Sequence, residues 1–175
     1  WSSDVCSSDL STEGVTVKSN YFAADYVSAR KYGYRTGAYH FFSISSSGAK
    51  QAEYFLKNSR YQRGDLPPVL DVEPTDAQIR RAGGIDAVFR NVRDWLRVVE
   101  QRRGVRPILY ISQSFVNKYL PKAPDIKKKY EVWIARYGEY KPDVHLVYWQ
   151  LSPDGRVNGI HGDVDINVYN GFSMN

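Results

Sequence analysis

The stretch PPVLDVE, at positions 67–73, decides how the chain is read. Two prolines open it, Val69, Leu70 and Val72 make it apolar, and Asp71 and Glu73 bring two carboxylates to its end before Pro74. A short, nearly continuous apolar run bounded by prolines predicts a strand buried on both faces, as in parallel sheets. Side chains at i and i+2 of a strand share a face, about 6.6 Å apart at roughly 3.3 Å per residue. In parallel α/β folds the carboxyl end of a strand is where sites are built. Two carboxylates so close cannot ionise independently, so one pKa rises, and a carboxyl group that keeps its proton can protonate a leaving oxygen. The motif alone is common. With 19 acidic residues among 175, about two acid-x-acid pairs arise by chance, and the chain has two, Asp71/Glu73 and Asp163/Asp165. Position at the end of a buried strand singles out the first. On the residues alone it reads either as a catalytic pair or as a solvated strand terminus.

On either side of this strand the pattern alternates. Phe22, Tyr26, Val27 and Ala29 recur at helical spacing over 21–32, with Gly33 as a stop. TGAYHFF at 36–42 is a second buried strand. Ser46 or Ser47 caps a helix running to about residue 60, with Ala49, Ala52, Phe55 and Leu56 inward. A longer helix over 86–103 puts Val88, Phe89, Val92, Trp95, Leu96 and Val99 on one face and ends at Gly104. RPILYIS at 106–112 is strand-like, 114–120 is a short helix, and 131–137, 146–151 and 164–169 are strands. Strand and helix in alternation define the α/β class with a parallel sheet. The later connections are too short for full helices, which points to an irregular barrel rather than a doubly wound sheet.

Composition excludes several classes. A length of 175 residues suits one domain, and 42% apolar with 25% charged residues is ordinary globular usage, far from disorder or collagen. No apolar run approaches the roughly 18 residues of a membrane helix, and no basic start followed by an apolar core marks a signal peptide. Cys6 is alone, so neither an intrachain disulfide nor a CxxC site can form. His40, His145 and His161 are scattered, which argues against a metal site of nitrogen and sulfur ligands. The net charge of +5 attracts anionic partners, but no nucleic-acid motif accompanies it. Lys127, Lys128 and Lys129 read as a solvated helix end or loop. No strand leads into a glycine-rich phosphate loop. There is no G-x-S-x-G elbow, and the scattered histidines give no persuasive Ser–His–Asp order.

Fourteen tyrosines and four tryptophans offer flat apolar faces of the kind on which sugar rings stack, or else simply fill the core. Trp133, and Trp149 with Gln150, end strands. Glu13 in STEG precedes a glycine and can line the same mouth as the acid pair. Asp165, in GDVDIN at the head of the last strand, is a better site candidate than Asp163, whose neighbour Gly162 suits a turn acid.

STEG (11–14), GAYHFF (37–42), PPVLDVE (67–73), PILYIS (107–112), VWIARY (132–137), YWQ (148–150) and NGIHGDVDINVYNG (158–171) fall in one order with matching gaps. In that order the chain resembles a glycoside hydrolase family 25 lysozyme from Ser11 nearly to its end. The resemblance implies an irregular TIM-like (β/α) barrel. It implies cleavage of the β-1,4 bond between N-acetylmuramic acid and N-acetylglucosamine in peptidoglycan. Glu73 would then be the general acid, Asp71 would assist the substrate's 2-acetamido group as internal nucleophile, and Asp165 would be the late acidic site residue. Glu13, Tyr39, Tyr110, Trp133, Trp149 and Gln150 would contact the glycan. No cofactor or metal is implied, since proton transfer and carboxylate electrostatics suffice. A monomer acting on glycan strands, outside the cell or at its wall, is expected, without nucleic acid or a membrane span.

One departure stands out. The family opens with an Asp-bearing strand, then a helix and a second strand leading into the TEG turn, whereas only WSSDVCSSDL precedes STEG here. Residues 1–10 therefore read as a non-native leader and 11–175 as one barrel domain lacking its first strand and helix. Residues 5–10 would serve as a strand only at an empty sheet edge. A wall-polysaccharide-binding domain with impaired catalysis is the alternative reading.

Overall fold

The computed structural model describes the backbone at 6–135, 146–155 and 164–169, and the side chains at 8–134. The chain divides into two compact units, 1–108 and 109–175.

The first unit is built on three parallel strands. β1 (Cys6–Glu13) pairs with β3 (Arg35–Phe41), and β3 pairs with β4 (Val69–Asp71). A two-residue strand, β2 (Val17–Lys18), folds back antiparallel on the end of β1. Residues 6–10 and 11–13 belong to one strand, with a register shift between Leu10 and Thr12, so β1 spans the expected boundary between leader and domain. β4 is shorter than the expected 67–73, because Pro67 and Pro68 offer no N–H and Pro74 restrains the residue before it. Burial nonetheless alternates beyond it, with Val72 sealed and Glu73 exposed.

Four helices cover this unit: α1 (Phe22–Lys31), α2 (Gly48–Asn58), α3 (Asp76–Arg81) and α4 (Ile85–Arg103). Ser47 caps α2 by accepting the Lys50 N–H, and Gly104, at φ 69°, ends α4 in the left-handed conformation. Helix α3 was not expected from periodicity. It is a short helix set by a capping box between Thr75 and Gln78. The apolar stripe of α4 is buried as its spacing predicts, from Val88 to Val99. Helices α2 and α4 approach so closely that a Cβ on Gly48 would lie 1.8 Å from the Asn91 carbonyl oxygen. The Gly48 N–H donates to Asn91 Oδ1 at 2.8 Å in the same contact. Away from the strands' carboxyl ends, Asp65 accepts hydrogen bonds from Tyr26 Oη (2.6 Å), Thr36 Oγ1 (3.2 Å) and the Gln62 N–H (2.7 Å), and pairs with Arg30. This buried carboxylate ties α1, β3 and the loop before β4 together.

In the second unit β5 (Ile108–Ser112) pairs parallel with β6 (Val132–Ala135), β6 parallel with β7 (Leu146–Gly155), and β7 antiparallel with β8 (Val164–Tyr169). Between β5 and β6 lie α5 (Gln113–Lys118), a 3-10 turn (Leu120–Lys122) and α6 (Pro124–Lys129). Leu109 with Val132, and Ile111 with Ile134, meet on one buried face of β5 and β6, with Phe115, Leu120 and Ile126 also buried. The lysine run closes α6, with Lys128 and Lys129 exposed. Both units are α/β with mainly parallel strands, as the alternation of the sequence predicts.

Candidate functional site

In the first unit the site candidates gather at the carboxyl ends of the parallel strands. Register aligns Glu13 of β1 with Phe41 of β3, and Phe41 with Asp71 of β4. Paired residues in a parallel ladder project to the same side, so Glu13, Phe41 and Asp71 form one row across three strands. The row beneath it holds Leu10, Tyr39 and Val69. Backbone hydrogen bonds fix the strand ends, from the Gly14 N–H to Phe41 O (3.2 Å) and from the Phe42 N–H to Asp71 O (2.9 Å). Phe41 was not singled out from the sequence. The one signal for it, the period-2 step from Tyr39, lies inside the continuous apolar run at 36–42.

Asp71 is half-buried, and its Oδ1 is enclosed without a hydrogen-bond partner among the described residues. Burial first, and the charge of Glu73 second, push its pKa up to about 8. Glu73 lies two residues beyond Asp71 and is exposed, yet desolvation raises its pKa as well. The pair therefore retains a proton at neutral pH, and in the free chain Asp71 is the stronger holder. Such an arrangement can donate a proton to a leaving oxygen and then take one back.

In the second unit Tyr110 of β5 and Trp133 of β6 are register partners. Their rings meet edge to face, with centroids 5.3 Å apart at 86°, and both are half-buried. They stand on the side of the strands opposite Leu109, Ile111 and Ile134 and present aromatic surface there. In the β6–β7 ladder Trp149 is opposite Ile134 and Gln150 opposite Ala135. Asp165 sits in β8 between Val164 and Ile166, which are opposite Gly155 and Ser152. The side chains of Trp149, Gln150 and Asp165 lie outside the described residues.

Comparison with known proteins places this geometry in a class. The sequence pattern of glycosyl hydrolases family 25 matches residues 10–160. The chain belongs to that family. It is 37% identical over 165 residues to the uncharacterized protein YegX of Escherichia coli O6:H1 (strain CFT073), covering 91% of this chain and 57% of YegX. It is 35% identical over 176 residues to lysozyme M1 of Streptomyces globisporus, covering 91% of this chain and 58% of that protein. The chain thus spans somewhat more than half the length of these curated relatives. Among solved structures, the bacterial lysozyme from Streptomyces coelicolor superposes with a TM-score of 0.82 at 30% identity, over 95% of this chain and 81% of that one.

Proposed function

We propose that the protein is a lysozyme of the N-acetylmuramidase type. It would cleave the β-1,4 bond between N-acetylmuramic acid and N-acetylglucosamine in peptidoglycan. The observation that carries this reading is the Asp71/Glu73 pair, proton-retaining and set at the carboxyl end of a parallel strand, in a chain of family 25. In this reading the 2-acetamido N–H of the bound sugar hydrogen-bonds to Asp71 and favours its anionic form. The proton that Asp71 holds passes to Glu73, since the two titrate as a coupled pair. Glu73 then protonates the glycosidic oxygen as the acetamido carbonyl oxygen attacks C1. Water opens the resulting ring, with Glu73 accepting its proton, and the pair regains its starting charge. Tyr39, Tyr110, Trp133, Trp149, Gln150 and Glu13 are proposed to hold the glycan, and Asp165 to complete the acidic site. Action at the cell wall or outside the cell follows from the substrate.

The test is release of reducing ends from purified peptidoglycan by this chain and by its Glu73→Gln variant. Loss of a general acid removes about 10²–10⁴-fold of rate, so the variant should release almost none while unfolding cooperatively at a midpoint no lower than that of the wild type. Full activity of Glu73→Gln would refute the assignment. Binding to insoluble peptidoglycan without release by either protein would favour the wall-binding reading.

A further inference from the structure

On the opposite side of the sheet from Glu13, Phe41 and Asp71, a polar chain runs through an apolar layer. His40 of β3 is fully buried, stacked on Trp95 (centroids 5.6 Å apart) and edge-on to Phe55 (6.0 Å). Its Nδ1 lies 2.7 Å from Thr12 Oγ1, and its Nε2 lies 3.1 Å from Gln51 Oε1. Gln51 is also fully buried. Its Nε2 donates to the carbonyls of Ser43 (2.8 Å) and Ser46 (2.9 Å), and its Oε1 accepts the Ser43 N–H (2.8 Å).

These partners leave one consistent set of hydrogens. Two carbonyls face the Gln51 amide nitrogen, so its oxygen must face His40. An amide oxygen only accepts, so His40 Nε2 carries the hydrogen. In the neutral ring Nδ1 then accepts, and the Thr12 hydroxyl donates to it. The relay runs Thr12 to His40 to Gln51, with Gln51 clasping both ends of the 43–46 segment. Burial holds the His40 pKa down at about 4, so the ring stays neutral at neutral pH.

The placement of the relay gives it a use. Thr12 immediately precedes Glu13, His40 lies between Tyr39 and Phe41, and Ser43–Ser46 lead from β3 toward α2 at the same end of the strands as Asp71. Apolar side chains would fill this layer at less desolvation cost than a buried His–Gln pair. We propose that the Thr12–His40–Gln51 relay is a positioning device, which locks the end of β1 and the 43–46 loop onto β3 and so sets Glu13 and that loop around Asp71. The link to turnover rests on the function proposed above; the locking of the loop does not.

The test uses Thr12→Val, Thr12→Ser and Gln51→Met in the full chain. Nitrogen-15 spectra of the wild-type imidazole should show the Nε2–H tautomer at His40. A predominant Nδ1–H form overturns the relay. Amide exchange at Ser43 should accelerate about 10-fold or more in Gln51→Met, with the amides of Val92–Val99 unchanged, as for a local opening. Unchanged exchange at Ser43 overturns the clasp. In peptidoglycan turnover Thr12→Val and Gln51→Met should lose about 10-fold in kcat/KM, because Glu13 and the loop no longer hold the glycan in register with Asp71. Thr12→Ser, which keeps the donor, should stay within about twofold of wild type. A loss that only follows the folded fraction, or an equal loss in Thr12→Ser, overturns positioning. Absence of turnover in the wild type refutes the proposed function, while the tautomer and exchange results still decide whether the relay exists.

Discussion

Replacing Asp71 by Asn should make the protein more stable at neutral pH and no more stable in acid. The magnitude follows from the titration of this one carboxyl group. Its pKa rises from 3.8 to about 8 on folding. A raised carboxyl pKa means that the folded state holds a proton that the unfolded chain has released. The two states bind protons equally below pH 3.8, so Asp71 costs nothing there. As pH rises through the window from 3.8 to 8, the unfolded state ionises alone and stability falls. Each pH unit in that window costs about 1.36 kcal/mol. At pH 7 the cumulative cost is about 4 kcal/mol, and at pH 4 it is below about 1 kcal/mol. Asn has the shape of the protonated acid and does not titrate, so the variant escapes this cost. For a chain of this size, about 4 kcal/mol corresponds to a rise of roughly 8–16 °C in Tm. The assay is urea unfolding of both proteins at pH 4, 5, 6 and 7, followed by far-UV circular dichroism. The difference in stability should grow steadily with pH. Parallel stability curves across this range, or a variant less stable than wild type at pH 7, would refute the argument that Asp71 is desolvated and protonated. Glu73→Gln supplies an internal check, since removing that charge should lower the Asp71 pKa and shrink the effect of Asp71→Asn.

Two further substitutions probe the scaffold. Asp65→Asn removes the charge that receives Arg30 and weakens the acceptor for Tyr26, Thr36 and Gln62; it should cost about 2–4 kcal/mol in urea unfolding, and a cost below about 1 kcal/mol would show that the cluster is solvated in solution. Gly48→Ala places a methyl group against the Asn91 carbonyl, so α2 must move away from α4; a loss of about 3 kcal/mol or more is expected, and a stable variant with unchanged near-UV circular dichroism would contradict the close crossing.

The proposed site gives these effects a common setting, because the strand that carries the proposed catalytic Asp71 also packs into the core. β4 is only three residues long, and it carries Leu70 on the packed side and Asp71 on the other. The carboxyl group that burial keeps protonated is the same one proposed to assist cleavage. Stability and activity are therefore expected to move in opposite directions at this position, as is common where a site is built from desolvated charge.

Periodicity alone determined the order and type of the main elements. The buried stripe of α4, the apolar run of β3 and the Ser47 cap of α2 are local patterns, and local patterns survive into the fold. The acid pair is legible as a motif at the end of an apolar run, although the strand itself ends at Asp71 and Glu73 lies two residues beyond it. The short elements were harder to read. Val17–Lys18 becomes a strand only because β1 offers it a partner, and α3 depends on a four-residue capping box rather than on an apolar stripe. Three things needed tertiary structure. Register across β1, β3 and β4 set Phe41 between Glu13 and Asp71, and no spacing in the sequence encodes a pairing between chains of residues so far apart. Desolvation decided which acid of the pair holds the proton, because it depends on what surrounds each carboxyl group. The packing of α2 and α4 buried His40, which in sequence was merely one of three scattered histidines, and fixed which of its nitrogens bears the hydrogen. Periodicity and turn chemistry act between neighbours along the chain, whereas register, burial and hydrogen-bond partners exist only once distant segments meet.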